Sequence, residues 1–351
     1  MDFRNDVRRH ARTALGWAAA MTLAVVLEGP PTFAAESHDR SFCSATASAL
    51  FTACRAGTTD DFYTAKAKCI NVEEAAERRE CLDEAKQARQ EGQQLCEEQR
   101  EGRLDACRSL GEDRYDPDLD PSLFDDPRHP THPNPYFPMA VDNRWEYRGG
   151  DETNVVEVVD ETKRIEDLTC QVFRDRVFRK GDLAEDTDDW FVPAKDGSVW
   201  YCGEEVKDYQ SFEGDVPRRP ELVAIDGSFK MGRDLDKPGI IFPAAPKKGQ
   251  FHREEFSLGN AEDVTEILSV RYAFGADPQL DTLVPRALAE RLCSGDCVVT
   301  RNFSLLEPGV SARKYYARGI GFFLEVSPDT AEVLQLVDCN FDSRCVGLPV
   351  P

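Results

Sequence analysis

Histidine is scarce in this chain: there are five in 351 residues, and His252 is the only one beyond residue 132. A Ser-His-Asp or Cys-His site in the C-terminal half would have to use that residue, and no strand-turn-helix elbow presents a nucleophile. Glycine-rich phosphate loops are missing as well. Basic side chains are outnumbered, 43 Lys and Arg against 65 Asp and Glu, for a formal charge of −22. Such a surface repels phosphate, which excludes nucleic acid as a partner and disfavours anionic headgroups; divalent cations or basic partners would suit it, although solubility alone also explains it. No apolar run after residue 27 is long enough to span a bilayer, which takes roughly 20 residues. No cysteine stands where a lipid anchor would need one.

What is present begins with Arg4, Arg8, Arg9 and Arg12, followed by an apolar run from Ala14 to Leu27 and small residues at Thr32, Ala34 and Ala35. This order is that of a secretory signal peptide over residues 1–35, cleaved near Ala34 or Ala35. The Arg8-Arg9 pair suggests the twin-arginine route, but His10, Ala11 and Arg12 replace the apolar residues expected next, which favours ordinary secretion. Cleavage removes four basic and three acidic side chains, so the charge hardly changes. The expected location is the bacterial periplasm or the exterior, with no transmembrane segment left. All twelve cysteines lie in the mature chain, and an even count in an exported protein reads first as disulfides.

Residues 36–112 form a cysteine-rich helical segment. From Ser41 to Leu110 there is no proline and much Ala, Glu, Gln, Arg and Lys, which predicts helices near 41–55, 61–91 and 94–109. The breaks are placed at Ala56-Gly57-Thr58-Thr59-Asp60-Asp61 and, more weakly, at Gly92, with Asn71 a further point of interruption. Each helix then carries two cysteines: Cys43 and Cys54, Cys69 and Cys81, Cys96 and Cys107. Folding back at 56–61 sets Cys54 against Cys69 and Cys43 against Cys81; a second turn sets Cys81 against Cys96 and Cys69 against Cys107. Three packed helices give two layers of three cysteines, and three thiols cannot all pair within one layer. Either the helices bend so that all six pair, or thiolates remain that could hold Cu(I) or Zn. The oxidising compartment and the lack of histidine among them favour disulfides.

Residues 113–138 are rich in Pro and Asp and read as a stiff, extended linker. His129 and His132 beside Asp125 and Asp126 could ligate a metal if the loop curled, although a polar linker is the simpler reading. From 139 to 351 the pattern becomes short strands punctuated by Gly, Asp-Gly and Pro, near 153–164, 168–179, 187–193, 198–207, 250–258, 263–274, 297–306, 312–326 and 331–338. Short connections such as Lys195-Asp196-Gly197 require antiparallel neighbours. The fold class expected is α+β: a helical hairpin or three-helix segment followed by an antiparallel curved sheet, half-barrel or barrel.

The runs Asn134-Pro135-Tyr136-Phe137-Pro138, Arg144-Trp145-Glu146-Tyr147, Asp189-Trp190-Phe191, Val199-Trp200-Tyr201 and Lys314-Tyr315-Tyr316-Ala317-Arg318-Gly319-Ile320-Gly321 resemble a bacterial secreted family without an assigned function. The resemblance spans most of residues 134–326 and implies a fold type rather than a reaction. More distantly, the curved sheet is similar to exported lipoprotein-carrier half-barrels. The Cys293–Cys297 and Cys339–Cys345 loops depart from the family as local additions; each pair could close on itself or the two could cross-link. Cys170 and Cys202 sit on strands one apart in a simple meander, about 10 Å if flat, so bonding them would demand strong curling.

Glu185, Asp186, Asp188 and Asp189 gather four carboxylates beside a tryptophan and could chelate Ca²⁺ or act as an acid/base pair, with Asp188 and Asp189 the catalytic candidates. A solvated strand entry is the plainer interpretation, since the glycine turn and distal acid of a calcium loop are not in place. Trp190, Trp200 and Tyr201 could line a cavity for an apolar guest, or belong to ordinary aromatic packing. No motif implies a cofactor. These features favour an exported, non-catalytic binding protein holding an apolar small molecule or lipid in its curved sheet. The alternatives are a carboxylate-dependent hydrolase centred on residues 185–189 and a structural protein that contacts an envelope partner.

Overall fold

The computed structural model describes residues 41–351; the signal peptide expected over residues 1–35 lies outside them. Two long helices, α1 (Phe42–Ile70) and α2 (Ala75–Leu110), form an antiparallel hairpin. The expected break at 56–61 does not occur, and α1 runs through it. Gly57 is buried within the helix, and a Cβ on Gly92 would meet the Thr58 methyl at 2.4 Å. These glycines let two helices approach closely, a use that offsets their cost of about 1 kcal/mol in a helix interior. The chain turns instead at residues 71–74, where Asn71 ends α1.

This relocation corrects the cysteine pairing. The bonds are Cys43–Cys107, Cys54–Cys96 and Cys69–Cys81, three rungs centred on residue 75. Each helix presents three cysteines on one face, so the two layers of three are replaced by three layers of two. Among the described residues no cysteine is free, and no thiol is left over for a soft metal.

The rest of the chain builds one antiparallel, nearly closed, barrel-like sheet. A meander of β1 (Arg144–Gly149), β2 (Glu152–Ile165), β3 (Leu168–Arg179), β4 (Asp182–Pro193) and β5 (Val199–Glu205) is followed by three short pieces, β6 (Asp208–Gln210), β7 (Glu221–Ala224) and β8 (Phe229–Lys230). Next come β9 (Lys237–Phe242), β10 (Phe251–Arg253), β11 (Glu255–Phe256), β12 (Asp263–Tyr272), β13 (Cys297–Ser304), β14 (Ala312–Ala317), β15 (Gly321–Ser327) and β16 (Glu332–Cys339). The lateral order is β10-β12-β13-β14-β15-β16-β1-β2-β3-β4-β5-β9-β11. Since β10 pairs with β12 and β11 with β9, the single segment 251–256 belongs to both margins of the sheet and draws them together. Closure of this kind removes exposed strand edges.

Three local differences from expectation have simple causes. Residues 312–326 are two strands joined at 317–321, and a bulge near Phe322 puts Phe322 and Leu324 on opposite faces. The helix α3 (Arg286–Leu292), seven residues long, was too short for its period to show. It helps cover the outer face where Tyr272 and Tyr315 are fully buried. The strands β3 and β5 flank β4, yet the sheet curls enough to bring Cys170 and Cys202 to 6.9 Å at Cα, and they are bonded. Cys293–Cys297 and Cys339–Cys345 each close their own loop.

Residues 113–138, expected as a stiff, extended linker, are fastened along the sheet. Tyr115 donates to the Pro238 carbonyl at 2.8 Å, Lys237 pairs with Asp116 at 2.7 Å, and Phe124 bridges to Ala194. Under this segment, on the outer face, Cys170, Val172, Trp190, Val192 and Cys202 form a satellite core with Phe124.

Candidate ligand-binding interior

Residues opposite one another in an antiparallel pair share a face, so the register separates inside from outside. Phe173 and Asp175 on β3 stand opposite Asp189 and Thr187 on β4; Asp189 stands opposite Glu204 and Phe191 opposite Tyr201 on β5. This face looks into the barrel. The intervening positions carry an outer lattice of ion pairs, including Arg174–Asp188 at 3.0 Å and Arg176–Glu157 at 2.9 Å. The acidic run of β4 is therefore divided by strand alternation: Glu185 and Asp189 point inward, and Asp186 and Asp188 point outward.

One end of the interior is closed by residues 134–138. The Asn134 amide donates to the carbonyls of Gly197 at 2.8 Å and Pro243 at 3.2 Å. Phe137 packs on Phe173 and Phe191, with ring centroids at 5.5 and 4.9 Å. Tyr136 stacks on Phe242, and its hydroxyl reaches the Asp296 carbonyl at 2.8 Å. Gly321 is required here: its φ is +88°, and a Cβ would meet Pro138 Cδ at 3.0 Å. The indole N–H of Trp145 donates to the Ile320 carbonyl at 2.8 Å, so a large aromatic floor is also satisfied in its polar atoms.

Above this floor the lining turns acidic. Asp175 accepts from the Asn154 amide at 2.9 Å, Asp189 accepts from the Tyr201 hydroxyl, and Glu254 accepts from Thr265 at 2.6 Å and Asn302 at 2.8 Å. Glu204, Glu255, Asp263 and Glu325 complete the ring, with Lys314 as its one ammonium among the described residues. Lys314 on β14 influences Asp189 on β4, on the far side of the sheet order, as expected for walls that face one another. Burial is the main reason that the pKa values of Asp175, Glu204, Glu254 and Glu255 lie above the usual carboxylate range, with neighbouring acids adding to it. For Asp189 burial pushes the value up to about 7, and the Tyr201 hydrogen bond pulls against that shift. Burial works against the charge of Lys314, but Glu254 and Glu325 around it outweigh burial and raise its pKa.

Glu254 is buried, whereas the other acids and Lys314 are partly exposed. Lys314 and Glu325, 4.0 Å apart, each have 30% of the side chain exposed. This part of the inward-facing wall therefore reaches solvent. His252 adds a further feature. It stands opposite Thr265 and so faces inward, is only 7% exposed, and neither ring nitrogen has a hydrogen-bond partner. Burial lowers its pKa to about 4 and keeps the ring neutral.

Of the residues singled out from sequence, Glu185, Asp189 and Tyr201 share the interior. Trp190 and Trp200 do not: both pack on the outer face near Phe124, where Trp190 also carries Lys163 over its ring at 3.4 Å. His129 sits 3.5 Å from Asp126 at the surface, and His132 contacts the Lys195 carbonyl at 2.7 Å, each held apart from the other. Among the described residues no group of three or more His, Cys, Asp or Glu side chains is placed to hold a metal ion. Asp175, Glu204, Glu254, Glu255, Asp263 and Lys314 are interior residues that the sequence reading missed.

No family model matches the chain, and no curated protein does. Among solved structures, a protein of Bacteroides fragilis NCTC 9343, described as exported and as having a YmcC-like fold, aligns over 60% of this chain and 98% of its own. Identity is 10% and the TM-score 0.30, a likeness too slight to carry an argument. No described helix is long and apolar enough to cross a membrane.

Proposed function

We propose that this is an exported, non-catalytic binding protein that holds a small molecule inside the barrel. The signal-like N-terminus and six disulfides support export. One observation carries the binding role: an aromatic floor closes one end of the interior, and carboxylates, most of them partly buried, line the wall above it. The guest that fits is an amphiphilic organic cation, with an apolar body against Phe137, Phe173 and Phe191 and an ammonium or amidinium among the carboxylates. This refines the apolar guest expected from sequence by giving it a charged end. A bare metal ion fits less well, because the acids are spread around the wall rather than converged. Native mass spectrometry of protein purified after export, followed by solvent extraction, tests the reading. Recovery of an amine-bearing small molecule supports it; recovery of only neutral or anionic lipids rejects it.

A second reading has a specific observation behind it. Asp189, pushed up to about 7, faces Glu204 across Tyr201, and a carboxyl group near neutrality can act as a general acid or base. If the barrel is a hydrolase, Asp189→Asn abolishes turnover in an ester, glycoside and peptide screen while the outward Asp188→Asn preserves it. Equal activity of the two variants discards this reading.

A further inference from the structure

The helical hairpin does not lie flush on the barrel. Between α1, the C-terminal part of α2, β10, β11 and the loop to β12 there is a cavity of about 170 Å³. Its walls are largely apolar, from Phe42, Ala47, Leu50, Phe256, Leu258 and Leu305, and three arginines, Arg103, Arg114 and Arg253, also line it. Arg103, 5% exposed, forks onto Glu262 with Nε and Nη2 each at 2.8 Å. Both carboxylate oxygens of Glu262 are taken, and Arg103 Nη1 is left with no hydrogen-bond partner. Arg253 has no carboxylate within ion-pair distance among the described residues. Its guanidinium rests on Tyr115 and Phe256, 5.6 and 5.1 Å from the ring centroids, and among the described residues its one hydrogen-bond contact is the Cys43 sulfur at 3.6 Å. The other charged groups around the cavity are more exposed: Arg114 lies over Phe42, Lys237 is paired with Asp116, and Asp113 has its own partner.

In a protein of formal charge −22 this seam is locally cationic: the buried Arg103 takes Glu262, and the half-buried Arg253 has no carboxylate of its own. An unsatisfied buried donor is costly, and a guanidinium fork matches a carboxylate in geometry. The volume is well below the roughly 300–1,000 Å³ of drug-sized sites, which limits a guest to fragment size. The apolar walls argue against a fully hydrated inorganic anion. We propose that the seam cavity binds a small organic carboxylate, its anion between Arg103 Nη1 and Arg253 and its apolar tail along Leu50, Leu258 and Leu305. This site is separate from the barrel interior and stands whether or not the interior binds a guest.

The test is a calorimetric titration of the oxidised, full mature chain with hexanoate, hexylamine and inorganic phosphate. Arginine side-chain N–H resonances are followed in parallel. Hexanoate is expected to bind and to shift the Arg103 and Arg253 resonances, while hexylamine and phosphate leave them in place. Arg253→Gln is expected to weaken hexanoate at least tenfold. Leu50→Trp, which fills the cavity without touching either guanidinium charge, is expected to abolish binding and keeps the proposal falsifiable should Arg253→Gln fold poorly. Phosphate binding as tightly as hexanoate, hexylamine shifting the same arginines, or hexanoate affinity unchanged in Leu50→Trp would each overturn the assignment.

Discussion

The barrel interior and the seam beneath the helical hairpin both bury charge, with opposite signs and by different means. Inside the barrel, carboxylates from several strands gather around Lys314, and the excess is tolerated because burial raises the pKa values of Asp175, Glu204, Glu254 and Glu255, and that of Asp189 to about 7, so that these acids take up protons. In the seam, guanidiniums cannot shed their protons at any ordinary pH. There the excess is held by aromatic rings against Arg253 and by the fork of Arg103 on Glu262. The first region is adjustable by pH, whereas the second is fixed. A net charge of −22 thus says little about the chemistry of any one enclosed region.

The largest expected effect breaks the seam. Arg103→Met leaves the buried Glu262 without its charge partner, with only the Gly259 N–H still bonded to it, and its cost in urea unfolding should be about 3–5 kcal/mol. The double variant Arg103→Met with Glu262→Leu should recover most of that loss, because an apolar pair of similar volume often matches a buried ion pair. A single variant as stable as the wild type would mean that the seam is not a buried pair. Next, Asp189→Asn should stabilise the barrel by about 1–3 kcal/mol at pH 8 and by almost nothing at pH 4. The sign follows from a folded pKa above the unfolded one: the folded state holds the extra proton, so this group's contribution is greatest below about pH 4 and is lost as pH rises to about 7. Wild-type melting should accordingly fall across that window, and a flat profile would remove the adjustable half of the comparison. Tyr201→Phe should cost about 1 kcal/mol and raise the Asp189 pKa further, a change readable by carboxyl NMR. The smallest effect is expected from Arg108→Ala, whose pair with Asp105 is exposed on both sides; it should stay within about 0.5 kcal/mol.

The fold class and most strands were legible because period-two alternation, Gly punctuation and short connections leave little choice. The helical hairpin was legible in composition but misread at its turn, since Gly57 and Thr58 resemble a break and serve instead as a close contact. A signal for the true turn was there: cysteine spacings of 11, 15, 12, 15 and 11 are symmetrical about residue 75, as nested rungs require. The interior was harder to see. Carboxylates alternating with polar residues ordinarily mark the solvent face, and Asp186 and Asp188 obey that rule. Asp175 two residues after Phe173, and Asp189 two before Phe191, place acid and aromatic on the same face, which is the available trace of a lined lumen. Closure by residues 251–256, which brings those faces together, depends on pairings far apart in sequence that no local pattern encodes.

Whether the barrel interior takes an organic cation is decided by one titration. Hexylamine is added to the mature protein at pH 8 and pH 5, with Asp189→Asn and the outward Asp188→Asn run beside the wild type. Binding should be tighter at pH 8, where more interior carboxylates are ionised, weaker in Asp189→Asn, and unchanged in Asp188→Asn. Binding that is absent at both pH values, or that responds to Asp188 rather than Asp189, would contradict the account.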